Sequence, residues 1–360
     1  MANQPNLNPR YQNILKATIK HYIATAEPVG SKTLAEEYDL KVSSATIRNA
    51  MGKLEDAGLL YQPHISAGRI PSDYGYRIYV DRLITPNNNL VKSIERFLQQ
   101  ELKLEPANFE ALLQRAAKIL SALSGYIALV TFPKNINNTL RHLQLIKVAS
   151  GQIMLIIVTD SYQTTSILID YSSFNNHQEP ENSSAIEEEL QILSNFLNHQ
   201  LKGRSLTEMA TLNWHEIDRE FERYTDFLKI ISDRLQRYIQ HNNSTPIVMH
   251  GVAELLHQPE FSQLEQVQTL LYLLEEEKNQ LLPVIFTFPE EKDSAKKASV
   301  KIGTENFFEA MQTCTLVSAN YYQDRTPIGS VGIIGPTRML YENAIALVET
   351  TADYLSDAFR

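Results

Sequence analysis

The sequence predicts a multidomain α+β protein that opens with three short helices and a β-hairpin. At 360 residues the chain exceeds what one hydrophobic core usually holds. Apolar residues recur with a helical period between Pro9 and Ala57 and gather in β-rich runs later in the chain. Capping and turn residues cut these stretches into short elements. The composition, 43% hydrophobic and 21% charged with 13 glycines and 15 prolines, excludes a disordered or collagen-like chain.

From Pro9 to Thr25, Ile14, Leu15, Thr18, Ile19, Tyr22 and Ile23 keep helical spacing, and Glu27-Pro28-Val29-Gly30 stops the helix. Ser31 is placed to cap a second helix through Tyr38, with Leu34 and Ala35 inward and Asp39-Leu40-Lys41 as a tight connection. Ser43 or Ser44 caps a third helix to Ala57, closed by Gly58 where a left-handed residue is wanted. Leu59 to Gln62 and Arg69-Ile70 read as hairpin strands around His64-Ile65-Ser66-Ala67-Gly68. That order is the order of a winged helix-turn-helix. Ser72 starts a fourth helix bearing Tyr76, Tyr79, Val80 and Leu83, and Thr85-Pro86-Asn87-Asn88-Asn89 is the first linker. The first domain is therefore expected over 1–85.

Leu90 to Leu104 and Phe109 to Leu123 are amphipathic, and Tyr126 to Phe132, Leu140 to Val148, and Gln152 to Thr159 continuing into Thr164 to Ile169 are β-rich. Ser172 to Ser184 is polar and asparagine-rich, and Ile186 to Gln240 is helical in pattern, as an insertion would be. Strand candidates then resume at Val284 to Phe288, Val300 to Gly303, Thr315 to Tyr321 and Ser330 to Ile334, before a last helix from Tyr341 to Phe359. The expectation is one α+β domain in two segments, 90–171 and 246–360, interrupted by a mainly helical unit over 172–245. Strand runs at 126–169 are then expected to pair with runs near 300–334.

The net charge of −9 is unevenly spread. Residues 1–84 carry ten Lys or Arg against eight Asp or Glu, so this part is +2 and the remainder −11. Any contact with a polyanion belongs at the N-terminus. On a helical wheel, Ile47, Met51 and Leu54 of the third helix share one face, while Ala45, Thr46, Arg48, Asn49, Gly52 and Lys53 spread over the other. Small Ala45 and Gly52 suit close approach to a major groove, Arg48 and Asn49 match guanine and adenine edges, and Thr46 fits a base edge or a thymine methyl. Ser43, Ser44 and Lys53 are placed for phosphates, and Ser66 and Arg69 at the hairpin tip for a phosphate or the adjacent minor groove. An ordinary surface helix also has a polar face. The preceding helix and turn and the following glycine-containing, basic hairpin set this one apart. Tyr74, Tyr76 and Tyr79 read as packing.

The runs Val42-Ser-Ser-Ala-Thr-Ile-Arg-Asn49, Gly58, Gln62-Pro-His-Ile-Ser-Ala-Gly-Arg-Ile-Pro71 and Gly75-Tyr-Arg77 resemble the N-terminal signature of the HrcA family of heat-inducible transcription repressors. Ile302-Gly-Thr-Glu-Asn306 and Gly335-Pro-Thr-Arg-Met339 with Tyr341 are similar to its second signature, so the resemblance spans the chain. Ala50, where the family usually carries an acid, and the charged stretch Pro289 to Lys297 depart from it. The resemblance implies a GAF-like domain interrupted by an inserted dimerisation domain. It also implies a homodimer that binds the inverted-repeat operator CIRCE in double-stranded DNA, upstream of chaperonin and DnaK-type chaperone operons. The chaperonin is its implied partner and keeps the repressor active.

Enzymatic readings fail on the residues. His250 and His257 stand seven apart without a third ligand, so no metal is expected. Gly329, Gly332 and Gly335 lack the Gly-Lys-Ser/Thr of a phosphate loop and read as turn glycines. The acidic runs Glu187 to Glu189 and Glu275 to Glu277 fan around their helices as solvated faces. Cys314, the sole cysteine, reads as core. No cofactor is expected. No apolar run reaches the ~18 residues of a bilayer span, and Met1 to Arg10 lacks signal-peptide features, so a cytoplasmic protein without membrane association is expected. The alternative is a winged-helix regulator switched by a small ligand in the GAF-like domain.

Overall fold

The computed structural model describes residues 7–84, 88–102, 109–133, 139–149, 151–159, 164–170, 183–205, 208–209, 225–241, 246–261, 264–276, 278–286 and 297–359. Helix α1 (Pro9–Thr25) starts where the Asn8 side chain accepts the Tyr11 amide at 3.0 Å, with Pro9 in a position that needs no N–H. It ends at Ala26, left-handed at φ 58°. Helix α2 (Ser31–Glu37) begins at Gly30; Ser31 fills the first helical position and no side chain caps the end, unlike the expectation. Ser43 caps α3 (Ser44–Asp56), and Gly58, at φ 72°, turns the chain out of it. Strands β1 (Leu60–Tyr61) and β2 (Ile70–Pro71) pair antiparallel. Ser72 caps α4 (Asp73–Ile78), which continues as a π-helical turn to Leu83.

After the first helices come α5 (Asn88–Glu101), α6 (Phe109–Ser124), β3 (Ile127–Thr131), β4 (Leu140–Ala149), β5 (Gln152–Thr159), β6 (Thr164–Asp170), α7 (Ser183–Leu201) and α8 (Thr225–His241). The chain closes with β7 (Ile247–His250), α9 (Val252–Leu256), α10 (Leu264–Glu275), α11 (Lys278–Ile285), β8 (Ala298–Ile302), β9 (Cys314–Gln323), β10 (Thr326–Pro336) and α12 (Tyr341–Ala358). Two compact units result, 1–133 with 246–360, and 134–245. The protein is thus α+β and multidomain.

In the first unit an antiparallel sheet runs in the order β7-β3-β10-β9-β8. Its central strands β3, β10 and β9 are buried on both sides because both faces are covered. Ala128, Val130, Val317, Ala319, Val331 and Ile333 join one core with the side chains of α1, α3, α4, α5, α6 and α12. Ile127, Leu129, Leu316 and Ile334 join a second with Leu270, Leu273 and Leu274 of α10 and Leu281 and Ile285 of α11. Burying a leucine or isoleucine there contributes about 1.5–3 kcal/mol each. Gly329 and Gly335 are strand residues, not turn residues: a Cβ would lie 2.1 Å from the Tyr321 ring at Gly329 and 2.8 Å from Tyr126 at Gly335.

The second unit departs from the expected pairing. Of the runs over 126–169, only β3 joins the late strands; β4, β5 and β6 form a sheet of their own. Gly151, at φ 74°, lets β4 turn directly into β5, and such local pairing closes before a distant partner is available. Helix α7 closes the free edge of β4: Asn198 Oδ1 accepts the Leu143 amide at 2.7 Å and Ser194 Oγ the Leu145 amide at 2.9 Å. Leu143, Leu155 and Ile157 pack on Leu193, Leu197, Leu228 and Leu235. This unit therefore starts near 134 rather than 172. A second difference concerns Val284 to Phe288, expected as a strand: Val284 and Ile285 end α11, because a short buried apolar run has no period to separate helix from strand. Strand β7, only four residues long, carries no strand signal of its own. The polar run 172–182 and residues 289–296 lie outside the described residues.

Candidate nucleic-acid interface

Helix α3 places Ile47, Ala50, Met51 and Leu54 in the core, 0–4% exposed, and turns Ala45, Arg48, Asn49 and Lys53 to solvent. Among the described residues no hydrogen bond or ion pair engages the side chains of Arg48, Asn49 or Lys53. Gly52 lies between them, and nothing stands within 4 Å of the position its Cβ would take. With Ala45 it leaves the backbone of this face approachable. Ala50, where the resembling family carries an acid, points into the core and away from that face.

The start of α3 is built from its own polar residues. Ser43 Oγ accepts the Thr46 amide at 3.3 Å and lies 3.0 Å from Thr46 Oγ1, so both hydroxyls serve the cap. Ser44 is half-buried beside them. Lys41, exposed and left-handed at φ 52°, makes the bend from α2 into α3.

The hairpin is held against the helices by the backbone pair Val29–Arg69, 2.9 Å in both directions. Gly68 permits it: a Cβ there would lie 2.4 Å from Val29 O. Gln62 Nε2 donates to Ile65 O at 3.0 Å and Ala67 O at 2.8 Å, tying the tip closed. Ser66 is exposed at this tip. Arg69 is not presented there: its Nε donates to Glu55 Oε2 at 2.8 Å and its Nη2 lies 2.7 Å from the same oxygen. The residue that does project is Ile65, fully exposed at 101% and absent from the sequence-based set. An isoleucine inside a polar turn was the available signal. The structure thus gathers Ser43, Ser44, Thr46, Arg48, Asn49 and Lys53 on the start and outer face of α3, with Ser66 at the hairpin tip and Arg69 tied between helix and hairpin.

Tyr76 and Tyr79 are buried, as packing requires. The Cys314 thiol is buried and pushed up to about 12 by loss of solvent. Among the described residues no group of His, Cys, Asp and Glu could hold a metal, and no helix is long and apolar enough to cross a membrane.

Comparison with known proteins agrees with these features. The family profile described as "HrcA protein C terminal domain" matches residues 110–345. The heat-inducible transcription repressor HrcA of Nostoc punctiforme is 55% identical over 368 residues, covering 98% of each chain. That of Anabaena sp. is 56% identical over 357 residues, covering 99% of each. A crystal structure of a hypothetical protein at 2.2 Å resolution superposes with a TM-score of 0.64 at 25% identity, covering 98% of this chain and 99% of that one. The relatives match along the full length, α3 and its hairpin included, and the chain belongs to the HrcA family of heat-inducible transcription repressors, a non-enzymatic family.

Proposed function

We propose that residues 1–85 form a winged helix-turn-helix that binds the inverted-repeat CIRCE operator upstream of chaperonin and DnaK-type chaperone operons. The chain represses them as a homodimer whose active state the chaperonin maintains. The observation that carries this reading is the outer face of α3, where a cation, an amide and a second cation stand without a side-chain partner among the described residues, around two small residues. Arg48 suits the O6 and N7 acceptors of guanine, and Asn49 the N6 and N7 edge of adenine. Thr46, its hydroxyl held in the cap, offers its methyl to thymine. Ser44, Lys53 and Ser66 contact phosphates, and Ser43 shapes the helix start that does so. Arg69 sets the hairpin through Glu55, and Ile65 lies against the sugars of the neighbouring minor groove.

The five-stranded sheet with helices on both faces serves as the GAF-like domain. Residues 134–245 serve as the dimerisation domain. What supports this is the outer face of its sheet: Ile146, Met154 and Leu168 are cross-strand neighbours, and Ile146, Val148 and Leu168 are exposed. The test is a mobility-shift titration with the inverted repeat, a scrambled duplex and a half-site. Tight binding of the repeat alone supports the reading; equal affinity for the scrambled duplex overturns it.

A further inference from the structure

The four N-terminal helices and their hairpin are not hung on a tether. Their core is continuous with that of the sheet domain, and polar clasps reach across from both sides. Arg77 of α4 reaches into the turn after β8: its Nε donates to Glu305 Oε1 at 2.8 Å and its Nη2 to Val300 O at 2.6 Å. Its Nη1 lies 3.4 Å from Asp81, on its own side of the junction. Burial lowers the basicity of this guanidinium, and Glu305 and Asp81 together more than offset that. Glu305 is held ready, since its Oε2 also accepts the Ile302 amide at 2.8 Å. Beside this pair Asp73 accepts the Thr304 amide at 2.9 Å and hydroxyl at 3.0 Å. Gly303, at φ 51°, makes room, for a Cβ there would lie 2.2 Å from Asp73 Oδ2.

Arg338, in the turn between β10 and α12, reaches the other way. Its Nη1 donates to Ile23 O in the last turn of α1 at 3.2 Å, while Gln258 and Glu260 hold the rest of its fork. Between the two arginines Tyr79 donates to Glu342 at 2.6 Å, and the Tyr76 and Tyr341 rings lie 5.6 Å apart. Contacts at three places oppose movement of these helices against the sheet domain. The runs over 302–306 and 335–339 that carry the second signature are those that supply this dock.

We infer that Arg77 and Arg338 are positioning residues for operator recognition, clasping the DNA-binding helices to the sheet domain so that the dimer accepts one spacing and phase between half-sites. The inference rests on the operator reading above. Clasped heads move only as their sheet domains move, whereas loosened heads follow whichever spacing they meet. Inserting half a helical turn between half-sites moves the second to the opposite side of the duplex.

The experiment compares the full-length chain with Arg77→Met/Glu305→Gln and Arg338→Met/Glu260→Gln, which remove both charges of a clasp and orphan neither. Each is titrated with a single half-site and with repeats carrying spacers of native length, plus one, plus two and plus five base pairs. The wild-type chain is expected to prefer the native spacer over plus five by about thirtyfold or more. The variants should narrow that to about threefold or less, at unchanged half-site affinity. Arg77→Lys, which keeps the cation facing Glu305 but loses the fork, should retain part of the preference. Gly303→Ala, which pushes a methyl into Asp73, loosens the dock independently should a charge-pair variant fail to fold. Folded variants with wild-type spacer preference, or a wild-type chain indifferent to spacing, overturn the inference. Binding of neither half-site nor repeat overturns the operator reading instead.

Discussion

Arg48 and Lys53 share one face of α3, yet their losses are expected to differ in kind. Arg48→Ala should cost about 1–3 kcal/mol on the operator and relax selection at one base pair. Lys53→Ala should weaken all sequences alike and reduce the slope of affinity against salt by about one. Anisotropy titrations over a salt series on operator and random duplex read both; an equal loss of Arg48→Ala on the two duplexes removes its base-reading role. Cys314 makes a different prediction. Its thiol is raised from an ordinary 9.0 to about 12 in the fold, so the protonated form is favoured there. The stability this gives is complete below pH 9 and fades as pH climbs towards 12, because the unfolded thiol ionises first. Iodoacetamide at pH 8 should therefore leave the native chain unlabelled and label it on unfolding; rapid native labelling would contradict the burial. The free face of α3 was legible in sequence because a helical wheel needs only local order. The engagement of Arg69 was not, since Glu55 meets it through the turn of a hairpin.

Among the elements, α1, α3, α4, α6, β5 and α12 stand where their caps and periods place them, because each signal lies within the element itself. Strand pairing did not follow from such signals, nor did the type of the short apolar run at Val284 to Phe288. Nothing local in β4–β6 tells which sheet they join, and β7 is too short to show a period. The same distinction bears on the N-terminal fragment. A chain ending at Thr85 keeps the capping and hairpin bonds but strips Tyr76 and Tyr79 of their cover from Tyr341. It should bind a half-site weakly, without cooperativity, and melt well below the full-length protein. Calorimetry and gel shifts measure both, and a fragment that matches the full chain on the inverted repeat removes the assembly role given to 134–245.

The sheet of the first unit asks much of folding. Val331 pairs with Val130 across some two hundred residues, so although β9 covers one edge of Val331–Ile334 early, the edge that faces β3 stays unpaired until late. Refolding with chaperonin and ATP is expected to restore operator binding that spontaneous refolding does not, and an unfolded competitor protein should depress it. Full recovery without chaperonin, insensitive to the competitor, refutes that dependence and leaves the DNA contacts untouched.

The hydrogen bond from the Phe132 amide to Pro246 O, 2.8 Å long, has a consequence for modularity. Residues 134–245 depart from β3 and return on β7, its bonded neighbour, so the gap they span is the width of one strand pair. Loop closure costs grow only with the logarithm of length, and the parent sheet is nearly indifferent to what the loop contains. Such a segment is a cassette. Exchanging it for a short Asn-Gly turn should leave a folded, monomeric chain, by light scattering and circular dichroism. An unfolded product would show that the sheet depends on its insert. The cassette could then be replaced by any pairing module, so that the partnership of two repressors is chosen separately from the DNA they read.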